Sequence, residues 1–207
     1  MSRILMAGSL PPIWGSIGEK HQIPKPAAIL LAQPGSGPFK GARLPNYAGL
    51  SSDLNLLVIV GEDDYVVGTE FGRLVFETAV NTLNRNFIVQ RRDTTDHHRW
   101  LLATHSEPYA YDLDFDTGVR NYTAQRVLLT ARLNEVDFNC YWKLGDALIA
   151  YTRNGRYGSV AFGNTPEQRF LGLWPDGRPI RALDVLLPSQ LIYAGAKEGH
   201  QSTGKKK

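Results

Sequence analysis

Residues 147–162 read ALIAYTRNGRYGSVAF. Ala147, Ile149 and Tyr151 alternate with Leu148, Ala150 and Thr152, and Asn154-Gly155 separates this run from Tyr157–Phe162. An Asn-Gly pair between two β-type runs favours a type I′ turn, because both central residues must take positive φ. The stretch therefore predicts a β-hairpin. A second hairpin is expected upstream, where Tyr109, Tyr111, Leu113 and Phe115 alternate with Ala110, Asp112, Asp114 and Asp116 before Thr117-Gly118 turns the chain into Val119–Leu133. Strict alternation of this kind marks a half-buried strand. Working outward, Phe138–Trp142, Trp100–Thr104, Phe87–Val89 and Leu56–Val60 also read as strands, and Gly61–Asp64 reads as a turn into Tyr65–Val67. Only 70–84 predicts a helix, from Phe71, Leu74, Val75, Ala79 and Leu83 at helical spacing. The expected fold class is mostly β: an antiparallel sandwich or barrel of hairpins with at most one or two helices, plus an extended N-terminal arm. The alternatives are an α+β architecture and propeller-blade-like sheets, the latter because strand-rich units recur roughly every 45 residues.

Composition divides the 207 residues into three parts. Residues 1–50 hold seven of the twelve prolines and carry Arg3, Lys20, Lys25, Lys40 and Arg43 against Glu19 alone. Residues 51–193 form the expected folded body, in which acids outnumber bases. Residues 194–207 form a basic tail with Lys197, Lys205, Lys206 and Lys207 against Glu198. Proline bars the first segment from helices and from central strands, yet its apolar residues need a surface to pack on. The segment therefore reads as an arm that latches onto neighbouring subunits. Trp14, Ile17 and Ile23 would be its anchors, and Lys20, Lys25, Lys40 and Arg43 its charges. Asp112, Asp114 and Asp116 would be the acidic face that receives it. This makes the expected protein a non-enzymatic structural or interaction part, a homo-oligomer or member of a larger assembly such as a virion or phage particle. A nucleic-acid-binding β module is the alternative. Its contacts would be Lys205, Lys206 and Lys207, with Arg91-Arg92, Arg99-Trp100, Arg153 and Arg156-Tyr157 as candidate phosphate or stacking groups.

Motifs for chemistry are few. His97, His98 and His105, near Asp93 and Asp96, form a metal-like cluster, but a strand over 99–104 would turn His98 and His105 to opposite faces. Asp112-x-Asp114-x-Asp116 lacks the glycine and glutamate positions of a calcium loop. No GxxxxGK[ST], strand-led GxGxxG or G-x-S-x-G motif is present, so no cofactor is expected and no catalytic residue is nominated. Cys140 reads as a small buried hydrophobe. Tyr65-Val66-Val67-Gly68 resembles the strand–turn–strand around the adenine-stacking tyrosine of ribosome-inactivating N-glycosidases. The Glu-Ala-Ala-Arg element of that family is missing, and Glu167-Gln168-Arg169 has another spacing. A metal-dependent or glycosidase-type enzyme is thus a further alternative. Pro11-Pro12 interrupts the N-terminal apolar run, and no run approaches the ~20 residues that span a bilayer. The expectation is synthesis in the cytoplasm without signal peptide or membrane insertion, with incorporation into a particle under the assembly reading.

Overall fold

The computed structural model describes residues 4–6, 25–35, 44–95, 100–109, 114, 118, 121, 122, 125, 127 and 131–190. The architecture is mixed α/β, and the mostly antiparallel expectation is overturned. A five-stranded sheet has the order β1-β2-β3-β4-β7. Its members are β1 (Ile4–Met6), β2 (Ala28–Ala32), β3 (Asn55–Gly61), β4 (Asn84–Gln90) and β7 (Asp184–Leu186). The first four run parallel in chain order, with Ile29 beside Leu56 and Ile59 beside Ile88. Strand β7 closes the far edge antiparallel, Val185 facing Ile88. A separate two-residue pair, β5 (Asp93–Thr94) with β6 (Trp100–Leu101), follows β4 in the chain.

Strand β3 shows why the sheet is parallel. Asn55-Leu-Leu-Val-Ile-Val-Gly61 is buried at every position. A strand with one wet face would alternate, whereas an unbroken apolar run requires cover on both faces. The cover differs by face. Ile29, Leu31, Leu56, Val58 and Val60 pack with Phe71, Val75 and Phe76 of helix α1 (Glu70–Thr78) and with Tyr47, Leu50 and Leu54. Leu30, Leu57, Ile59 and Ile88 pack with Val136, Cys140, Leu144 and Leu148 on the other side. Gly72 lets α1 approach, since a Cβ there would stand 3.0 Å from the Val58 and Val60 methyls. Arg85 then ties the end of α1 to the start of β4, its Nε donating to the Phe76 carbonyl at 3.0 Å. Burial lowers the Arg85 pKa, and the carbonyls at a helix C-terminus are suitable partners for such a cation.

Residues 28–32 of the N-terminal segment belong to the same sheet. Ala28, Ile29, Leu30 and Leu31 are at most 3 % exposed between the protein's own β1 and β3. They form a core strand of this chain rather than part of an extended arm.

The predicted hairpin at 147–162 is also absent. A π-helical segment, Asp137–Trp142, continues into α2 (Lys143–Asn154), followed by α3 (Gly158–Phe162) and α4 (Pro166–Arg169). Gly155 serves as the left-handed C-cap of α2 (φ 71°), its N–H donating to the Tyr151 carbonyl at 2.8 Å. The residue that would make a hairpin turn supplies the positive φ that ends a helix. The 138–142 strand reading fails for the same reason, since Cys140, Leu144 and Leu148 lie on one helical stripe against the sheet. Tyr65–Val67 is a turn, and the Trp100 strand ends at Leu101. The 109–133 hairpin lies largely outside the described residues.

Candidate active site

The parallel strands β1 to β4 end at one edge of the sheet, and the segments that follow β2, β3 and β4 meet there. Such an edge is where α/β proteins bind ligands. After β3 the chain turns through Glu62-Asp63-Asp64. The Asp64 side chain is fully buried. Its Oδ1 accepts hydrogen bonds from the Val66 and Val67 N–H groups at 3.0 and 3.1 Å, the local turn chemistry of aspartate. Its Oδ2 faces His105 Nδ1 at 2.9 Å. A carboxylate only accepts, so this contact places a proton on Nδ1, and in the neutral imidazole the lone pair is then on Nε2. The ring is 30 % exposed. The acid is thus sheltered and the histidine reachable.

Delivering His105 to Asp64 takes several groups. Asp63 clamps Ala103 from both sides: its N–H donates to the Ala103 carbonyl at 3.1 Å, and its Oδ2 accepts the Ala103 N–H at 3.2 Å. The approach is so close that a Cβ on Gly61 would lie on the Ala103 carbonyl oxygen. Glycine is required there by contact. Glu62 accepts from Arg92 N at 2.7 Å and pairs with Arg91 at 3.1 Å, and Arg91 reaches Asp184 at 2.8 Å. Hydrogen bonding to Asp184 is the largest cause raising the Arg91 pKa.

Beside the pair lies a second acidic cluster. Glu107 is 4 % exposed, accepts from Thr104 Oγ1 at 3.4 Å and from Asn134 Nδ2 at 3.5 Å, and is pushed up to about 7. Burial is the main cause, and the nearby charges of Asp137 and Asp63 add to it. Asp137, raised by burial, accepts the Asn134 N–H through Oδ2 at 2.8 Å.

The residues singled out from sequence fare differently. His105 is in the site, its Nδ1 paired with Asp64, and His97 and His98 lie outside the described residues. Among the described residues no group of three His, Cys, Asp or Glu side chains could hold a metal ion. Asp93 is a structural anchor: its Oδ2 accepts from Trp174 Nε1 at 2.8 Å and from Arg181 N at 3.0 Å. Burial opposes its charge, but these bonds outweigh it and its pKa falls. Arg91 and Arg92, read as phosphate contacts, are engaged with acids of the sheet edge. Glu167-Gln168-Arg169 belongs to a helical turn capped by Thr165 and begun by Pro166. There Gln168 is buried, bonding Asn164 N, Asn86 and the Ala161 carbonyl. Cys140 is buried as expected, and burial pushes its thiol up to about 12. Lys25 and Asp114 are exposed. Trp14, Ile17, Lys20, Ile23, Lys40, Arg43, Asp112, Asp116, Lys205, Lys206 and Lys207 lie outside the described residues. In the sequence Asp64 reads as a turn residue. The signal that finds it is an acidic turn directly after an unbroken apolar strand, with a histidine in the loop that follows β6.

No family model matches this chain, and no curated protein or solved structure matches it either. Among the described residues no helix is long and apolar enough to cross a membrane.

Proposed function

We propose that the protein is a hydrolase of the acyl-transfer type, with His105 as general base and Asp64 as the acid that orients it. The observation that carries this reading is the 2.9 Å bond from His105 Nδ1 to a buried aspartate at the carboxyl edge of a parallel sheet. In Ser-His-Asp enzymes the buried acid holds the imidazole tautomer and stabilises the imidazolium that forms. In α/β-hydrolases the chain order is nucleophile, acid, histidine. Asp64 follows β3 and His105 comes after β4, which fits that order. Ser9 and Ser36, which follow β1 and β2 in the sequence, are the serines to test as nucleophile.

In the first half-reaction a serine hydroxyl attacks the ester carbonyl and its proton passes to His105 Nε2. That proton then goes to the departing alcohol, and the acyl group stays on the serine. Water, deprotonated by the same Nε2, releases the acid and restores the hydroxyl. The loops that carry acid and base also expose Tyr65, Val66 and Tyr109, apolar surface of the kind that lines small-molecule sites.

The test is turnover of p-nitrophenyl acetate by the full chain. His105→Ala and Asp64→Asn are each expected to lower kcat by about 10³- to 10⁴-fold, the cost of losing the base or its tautomer. Equal turnover by the parent and His105→Ala would overturn the proposal.

A further inference from the structure

Burying amide and phenol groups costs free energy unless each finds a partner. The carboxyl edge of the sheet nonetheless buries Gln33 (4 % exposed), Gln90 (0 %) and Tyr141 (6 %). They form one chain of hydrogen bonds. Gln33 Oε1 accepts the Gly61 N–H at 2.8 Å, and Gln33 Nε2 donates to the Tyr141 hydroxyl at 3.1 Å. The Tyr141 O–H donates to Gln90 Oε1 at 3.4 Å, and Gln90 Nε2 donates to the Leu102 carbonyl at 2.6 Å. Gln33 Nε2 also donates to the Thr104 carbonyl at 3.3 Å.

Both ends of this chain close on the segment that leads into His105. Leu102 is held by Gln90, Ala103 by Asp63 and Thr104 by Gln33, three successive residues held by three side chains from the ends of three strands. Tyr141 is the link between the two glutamines. A glutamine amide can turn over and exchange its donor and acceptor ends. By donating to Gln90 Oε1, the phenol points Gln90 Nε2 at Leu102. By accepting from Gln33 Nε2, it keeps that amide pointed at the Thr104 side. Tyr141 comes from the π-helical segment of the C-terminal half, the kind of local widening often found at functional sites.

We infer that Tyr141 is a positioning residue: through Gln33 and Gln90 its hydroxyl fixes the Leu102 and Thr104 carbonyls, so that His105 meets Asp64 in one tautomer. The inference rests on the reading of Asp64 and His105 as the catalytic pair. Removing the hydroxyl leaves Gln90 Oε1 without its donor and frees the amide to rotate, while the ring keeps filling the core.

The experiment is long-range ¹H–¹⁵N NMR of the His105 ring in the full chain, with p-nitrophenyl acetate turnover alongside. It compares the parent, Tyr141→Phe, Asp64→Asn and, as a distant control, Thr152→Val, which loses a bond from Asn55 Nδ2. The parent and the control are expected to hold the Nδ1–H tautomer. Asp64→Asn should lose it. Tyr141→Phe should give a mixture and lower kcat by about tenfold or more with KM unchanged, as expected for a small misplacement of a catalytic group. If Tyr141→Phe keeps the parent tautomer and turnover while Asp64→Asn loses both, the positioning role is wrong and the pair stands. If Asp64→Asn keeps the parent tautomer, the pair itself is wrong. Should Tyr141→Phe fail to fold, Gln90→Met breaks the same chain at Leu102 and is read by the same outcomes.

Discussion

Glu107 makes stability depend on pH in a direction opposite to most carboxylates. Its carboxyl is pushed up from the ordinary 4.5 to about 7, first by burial and then by the charges of Asp137 and Asp63. In the unfolded chain it titrates near its ordinary value. Between these two values the folded protein keeps a proton that the unfolded chain has lost. The stabilisation is therefore complete below about pH 4.5 and is lost progressively as pH rises to about 7, with no further loss above. A rise of this size is worth about 3 kcal/mol. Glu107→Gln keeps a neutral, similarly shaped side chain that can still bond Thr104 and Asn134, so it should abolish this term alone. Urea unfolding of the parent and Glu107→Gln between pH 5 and 8 measures it. The variant should be the more stable by about 1 kcal/mol at pH 5 and by about 3 kcal/mol at pH 8. Taking the difference cancels the other carboxylates to first order. A difference that stays flat, or that favours the parent as pH rises, would refute the reasoning.

Gly61→Ala should destabilise by about 2 kcal/mol or more, as overpacking does, and should also depress ester turnover because the new methyl displaces Ala103. Urea unfolding and kinetics read the two effects. Gly155 has open space around it but φ 71°, so Gly155→Ala should cost about 1 kcal/mol through backbone strain alone, seen as a lower midpoint in urea. Cys140, buried and pushed up to about 12, should not react with Ellman's reagent in the folded protein at pH 8 and should react fully in urea.

Much of the fold is legible in the residues. The unbroken Leu56–Val60 run marks a strand covered on both faces, and with the helix at Phe71–Val75 and the strand at Phe87–Val89 it spells a parallel β-α-β unit. The antiparallel reading came from Asn154-Gly155, whose positive φ serves a helix end as well as a hairpin. Leu144, Leu148 and Tyr151, at helical spacing, decide between the two. Ala28–Leu31 is a core strand hidden in a proline-rich segment, where composition outweighed four consecutive apolar residues. In the sequence His105 groups with its neighbours His97 and His98. Its partner Asp64 is far away in sequence, and the bonds of Asp63, Gln33 and Gln90 to residues 102–104 bring the two together. The Gln33, Tyr141 and Gln90 chain was not legible, since each residue taken alone is an ordinary polar side chain.

The central claim is that Asp64 and His105 activate a nucleophile of this chain. The most direct measurement is intact-mass spectrometry of the full chain after reaction with a fluorophosphonate ester. The account predicts one covalent adduct on the parent, on a serine preceding Asp64, with labelling lost in His105→Ala and Asp64→Asn. An unlabelled parent, or a His105→Ala variant labelled at the parent's rate, would contradict it.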